Sequence, residues 1–145
     1  MRRPAAIYTI VVATDDSEHA RRAVQYAARR AKGARWRIHL LHVEKPVMAW
    51  EIGQVSPIEH VASARETESS NLLAESAAQF DAETELEKHA LRGEPAATIL
   101  ALARQLGADE IIIGSHGRTP LGAALLGSVT YKVLHDARIA VVVVR

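Results

Sequence analysis

Three β-branched, largely apolar runs, 7–13 (IYTIVVA), 111–113 (III) and 139–144 (IAVVVV), limit the folds open to this chain more than any other feature. A strand with one wet face alternates apolar and polar residues, whereas a continuous β-branched run is buried on both faces, as in a parallel sheet. Helical patterns lie between these runs. Ala20, Ala23, Val24, Ala27, Ala28 and Ala31 form one apolar helical face. Asp16 or Ser17 is placed to cap that helix, Glu18 suits its first turn, Arg29, Arg30 and Lys32 its last, and Gly33 its stop. Residues 38–43 (IHLLHV) read as a second strand. Segment 44–57 holds two prolines and no clean period, so a long loop is expected there, pinned by Met48 and Trp50. Residues 58–80 are rich in Ala, Glu and Ser and predict a long helix, while 84–91 (TELEKHAL) alternate only weakly and are ambiguous, open to an edge strand. Pro95 starts the next helix, with Ala96, Ile99, Leu100, Ala103 and Leu106 on its buried face and Gly107 at its end. A last helix runs through Val129, Val133 and Leu134. Strands alternating with helices give an α/β fold with a mainly parallel sheet and helices on both faces. A chain of 145 residues suits one such domain.

Composition removes several classes of function. Eighteen Lys and Arg against 17 Asp and Glu leave a net charge of +1, too balanced for a dedicated nucleic-acid binder, and 4% aromatic residues offer few base-stacking platforms. The absence of cysteine excludes a disulfide scaffold, a thiolate zinc site and a cysteine nucleophile. No apolar run approaches the roughly 20 residues of a membrane helix. A soluble cytoplasmic domain is therefore expected, with neither membrane nor nucleic acid as a partner.

Two strand ends carry polar chemistry. One is Thr14-Asp15-Asp16-Ser17; the other is 114–128 (GSHGRTPLGAALLGS), with glycines at 114, 117, 122 and 127. Glycine tolerates positive φ and lets a ligand approach the backbone, and a helix starting at Ser128 aims free N–H groups into the loop. Arg118 adds a fork of donors suited to phosphate. These are the parts of a phosphate cradle; equally, the glycines can serve only to turn the chain and Ser128 only to cap the helix.

The spacing Gly114-x-x-Gly117, nine residues, Gly127-Ser128 resembles the nucleotide-binding signature of the universal stress protein family. The likeness runs along essentially the whole chain: Ile10–Glu18 resembles the opening strand and acidic turn, Leu40–Val43 the second strand, Gly93–Ala96 a helix start and Ala140–Val144 the closing strand. The resemblance implies a Rossmann-like open five-stranded parallel sheet of order 3-2-1-4-5 with ATP at its switch point. By the same likeness Asp15 and the backbone of Val43 meet the adenosine end. Gly114, His116 and Gly117 line ribose and phosphates, and Gly127, Ser128 and Val129 hold the phosphates; Thr14, Ser115 and Arg118 are counted with them as nucleotide-binding residues. It also implies a homodimer paired through Ala140–Val144. Asp16 and Pro120 stand where glycine is common in that family. Asp16 puts negative charge beside a triphosphate and, with Asp15, suits Mg2+ or Mn2+ held through phosphate oxygens.

This reading is of an ATP-binding regulator of the stress response. The alternatives are a slow adenine-nucleotide hydrolase or transferase using the same cradle, and a structural dimer module with an empty loop. The residues identify no water-positioning group and no catalytic residue, so binding is favoured over catalysis. Of the seven histidines, none forms an i, i+4 pair or metal-ligand spacing; His39 and His42 point to opposite faces, His116 belongs to the loop and His135 suits helix-end carbonyls. Lys132 is expected on a solvated face.

Overall fold

The apolar runs become the centre of a five-stranded parallel sheet in a computed structural model that describes residues 6–48, 58–117 and 125–145. The elements are β1 (Tyr8–Ala13), α1 (Glu18–Ala31), β2 (Trp36–Glu44), α2 (Ile58–Ala77), β3 (Glu85–Arg92), α3 (Pro95–Leu106), β4 (Glu110–Gly114), α4 (Ser128–Asp136) and β5 (Ala140–Val144). The strand order is β3-β2-β1-β4-β5, and every pairing is parallel. The connection therefore reverses direction between β1 and β4. Among the described residues, no helix is long and apolar enough to cross a membrane.

Period-two alternation along the strands sends side chains into two cores. Val11, Ala13, Leu41, Ile111 and Ile113 pack against α3 through Ala96, Ile99, Leu102 and Ala103, and against Val133 of α4. Ile10, Val12, Ile38, Leu40 and Ile112 pack on the other face against Ala23, Val24, Ala27 and Ala31 of α1 and Leu73 of α2. Two expectations need correction. Leu102 lies fully in the core, where Leu100 and Leu106 are only half-buried at its edge. Leu134 is 40% exposed, leaving Val133 as the apolar anchor of α4. Met48 is exposed, and Trp50, with the rest of the loop it was expected to help pin, lies outside the described residues.

Local chemistry accounts for the element ends. Ser17 caps α1, its Oγ accepting from the Ala20 N–H at 3.2 Å. Gly107 closes α3 in the left-handed region, at φ 60°. Arg30, assigned from sequence only to the last turn of α1, reaches Glu110 at 2.7 Å, where Tyr8 also donates to the buried carboxylate at 3.2 Å. The guanidinium lies 4.7 Å from the Trp36 ring centroid, so the ion pair is roofed by an aromatic face.

Glu94 caps α3 by accepting from the Ala96 and Ala97 N–H groups at 3.3 and 2.8 Å. Lys132, on a solvated face as expected, lies 3.6 Å from it. The Ala97 hydrogen bond, followed by those from Ala96 and Lys132, holds the Glu94 carboxyl below its ordinary value. A depressed carboxyl contributes stability above its unfolded pKa and loses it as pH falls through the folded one. Glu94→Ala is expected to cost about 1 kcal/mol at neutral pH. Urea unfolding should show that gap closing in acid, once the wild-type carboxylate is protonated.

Candidate functional site

In an open parallel sheet the crevice forms beyond the carboxyl ends of the strands, where the winding reverses. Here that point lies between β1 and β4, and a cleft of about 940 Å³ opens there. Its walls come from the β1–α1 turn, the end of β2, the exposed side of α2, the segment after β4 and the start of α4. Of the residues singled out from sequence, Thr14, Asp15, Asp16, Val43, Gly114, His116, Gly117, Gly127, Ser128 and Val129 all line it. Arg118 and Pro120 lie outside the described residues.

The acidic turn is held from both sides. Asp15 Oδ1 accepts from the Ser17 N–H at 2.8 Å, locking a tight turn before α1. A His42 ring nitrogen sits 3.0 Å from the Thr14 carbonyl, tying the turn to the end of β2. The remaining carboxylate oxygen of Asp15 faces Gly117 across the cleft: a Cβ on that glycine would lie 3.2 Å from Oδ2.

Ser115 is turned the other way. Fully buried, its hydroxyl lies 3.1 Å from His19 Nδ1 and 2.9 Å from His116 Nδ1. Its amide donates to the Val144 carbonyl and its carbonyl accepts from the Gly127 N–H. Ser115 therefore stitches β4 to β5 and to the head of α4, and orients His116. His116 Nε2 is the one buried side-chain nitrogen or oxygen among the described residues with no hydrogen-bond partner. An orphaned polar atom of this kind costs free energy unless something meets it.

The described glycines of the loop have no positive φ, so backbone freedom is not their reason for being there. Space is. A Cβ at Gly127 would press to 3.2 Å from the His116 Cα and 3.5 Å from the Gly117 nitrogen. At Gly114 it would meet the His19 carbonyl carbon at 2.7 Å and the Ala20 nitrogen at 2.9 Å. Gly114 thus serves first to let the backbone of α1 approach β4. Gly127, not Ser128, is the N-cap of α4, and no side chain caps that end. The first N–H groups of the helix are left to whatever lies in the cleft.

Sequence reasoning missed the far wall. Arg21, Lys45, Arg65, Glu68 and Ser69 border the cleft, and Ser69 donates to the buried Glu44 at 2.6 Å. Arg21 sits one turn into α1 and was within reach of helix periodicity. Arg65 was not, because α2 carries no clear apolar period to assign its faces. Arg65 donates to the Lys45 carbonyl at 2.9 Å.

The histidines divide as their strands dictate. His39 is buried on the α3 side of the sheet, where burial pushes its imidazole below the ordinary value, and His42 points to the opposite face. His135, expected at helix-end carbonyls, instead bonds the Asp136 carboxylate at 2.8 Å on the exposed surface.

Comparison with known proteins adds an independent line. The family model for universal stress proteins matches residues 7–145. A universal stress protein of Thermus aquaticus is 31% identical over 137 residues, covering 94% of this chain and 98% of that protein. One from Mycolicibacterium smegmatis is 32% identical over 152 residues, covering 99% of this chain, which spans 50% of that longer relative. The structure of MJ0577 from Methanocaldococcus jannaschii superposes with a TM-score of 0.73 at 30% identity, covering 94% of each chain. A universal stress protein structure from Archaeoglobus fulgidus gives 0.68 at 26% identity, covering 97% of this chain and 99% of the other.

Proposed function

The chain belongs to the universal stress protein family, and on that footing we propose that it binds ATP in the cleft between β1 and β4 and acts as a nucleotide-dependent regulator. The observation that carries this reading is the uncapped α4 start at Gly127, which opens on the cleft that His116 and Gly117 also line. The free N–H groups of that helix start are donors, and a polyphosphate supplies the acceptors that would satisfy them. Gly117, Gly127, Ser128 and Val129 surround the phosphates. Thr14, Asp15 and the Val43 backbone receive the adenosine. Ser115 contributes by fixing His116 rather than by touching ligand. Asp15 and Asp16, facing the same space, suit a Mg2+ or Mn2+ ion bridged through phosphate oxygens.

Two structures of this fold, described as complexes with cAMP and with dAMP, hold adenine nucleotides; at 23% and 24% identity they share the fold with this chain. They support the choice of an adenine nucleotide as the first ligand to test. A homodimer through Ala140–Val144 completes the proposal. β5 is an edge strand of five apolar residues, and pairing with a second copy removes the aggregation hazard of such an edge. Ser115 links the cleft to that edge through its bond to Val144, which gives nucleotide occupancy a short route to the dimer contact.

Calorimetric titration with ATP, ADP and AMP, each with and without Mg2+, tests the reading. Saturable binding of one ATP per chain is expected, and at a hundredfold excess over Kd it should raise folding stability by about 2.7 kcal/mol. No heat and no thermal shift at millimolar nucleotide would overturn it. Phosphate release with multiple turnovers in the same samples would move the assignment to a hydrolase.

A further inference from the structure

On the α3 side of the sheet, far along β2 and β3 from their carboxyl ends, three metal-ligating side chains converge. His39 and Glu87 are register partners across the β2–β3 ladder, and His89 follows two residues on, so all three share one face. His39 Nδ1 lies 2.9 Å from His89 Nε2, and Glu87 Oε2 lies 3.7 Å and 3.9 Å from those two nitrogens. Three donor atoms so spaced lie on a circle of radius about 2.1 Å, the length of a zinc–imidazole or zinc–carboxylate bond. We propose that His39, Glu87 and His89 form a site for a divalent transition metal, zinc in the first instance.

The chemistry of the donors selects the class of ion. Two imidazoles and one carboxylate favour zinc, copper or nickel over magnesium and calcium, which prefer all-oxygen shells. The site also has an anchored end and an open end. Side-chain exposure rises from 3% at His39 through 20% at His89 to 59% at Glu87. An ion can therefore enter from solvent and keep a position open for water or an outside ligand. The nearest other charges balance: Arg37 is paired with Glu85 at 2.6 Å, one step back along the same face of both strands. Without an ion, the two facing nitrogens must share one proton as a hydrogen bond. An ion lets both offer their lone pairs.

The test uses the untagged full chain, free of nucleotide, titrated with zinc chloride against a chromophoric chelator. One zinc per chain is expected. His89→Ala should weaken it by at least about a hundredfold, since even outer partners of zinc ligands are worth 10- to 100-fold. Glu87→Gln should also weaken it, and both residues are exposed enough for the variants to fold, as far-UV circular dichroism would verify. Cobalt should replace zinc and give a visible absorption band of low coordination number that His89→Ala abolishes. No retained zinc, or wild-type affinity in both variants, overturns the assignment. Because nucleotide is absent, the result is independent of whether the β1–β4 cleft binds ATP.

Discussion

Gly114→Ala should destabilise the protein by about 3 kcal/mol, the upper end for overpacking, and lower Tm by about 10 °C. The added methyl would sit 2.7 Å from a main-chain carbon of His19 and 2.9 Å from the Ala20 nitrogen. Real Cβ atoms do not approach backbone so closely, and neither neighbour is a side chain that can swing aside. The first turn of α1 would have to lift away from β4. That turn carries the Ser17 cap and follows directly on the Asp15 turn, so the cleft would deform with it. Against a total stability of about 5–15 kcal/mol, the loss is large but compatible with a folded variant. Differential scanning calorimetry of the ligand-free protein checks it. An unchanged Tm would mean that α1 does not rest on Gly114.

The substitution also shows where reading the chain as a string reaches its limit. Gly114 sits in the glycine spacing that resembles a nucleotide signature, and that resemblance assigns it to ligand. Three-dimensional packing gives it a different first duty, because α1 lies 94 residues upstream and its approach to β4 leaves no local trace. The central strands were readable for the opposite reason. Burial on both faces writes itself into consecutive residues such as Ile111–Ile113. At β3, where exposed and half-buried residues alternate among charges, the pattern is weak and the strand reads as ambiguous. The same limit hides His39, Glu87 and His89. Metal-ligand spacing is sought along one helix or one turn, whereas these meet through the β2–β3 register, with about 50 residues between the ligands. The far wall of the cleft escaped because α2 buries few apolar residues among those described, and its periodicity does not tell a cleft-facing Arg65 from a solvated one. Arg30 was placed correctly on its helix, yet its partner Glu110 is 80 residues away.

Gly127→Val is expected to abolish ATP binding, with an affinity loss of at least a hundredfold, while leaving a folded protein. Gly127 has φ −63° and ψ 154°, values any residue adopts, so no backbone strain accompanies the change. What changes is space. The new Cβ would lie 3.2 Å from the His116 Cα and 3.4 Å from the Ser115 carbonyl oxygen, tight but relieved by a shift of a few tenths of an ångström. The two γ-methyls have no such relief. They must either push the 115–117 backbone outward or enter the space before the N–H groups of α4. Either outcome alters the pocket in front of the N–H groups that the proposed phosphates require. Ser128→Ala removes one hydroxyl from the first position of the helix and leaves that space intact. Its expected cost is about tenfold, the scale of one hydrogen bond to a charged group. The contrast with Gly114→Ala is the diagnostic. There stability and binding fall together, whereas here the nucleotide-dependent rise in Tm disappears from a protein whose ligand-free Tm stays close to the wild-type value. A folded Gly127→Val protein that still takes up ATP with unchanged affinity would place the phosphates elsewhere and remove the basis for the proposed function.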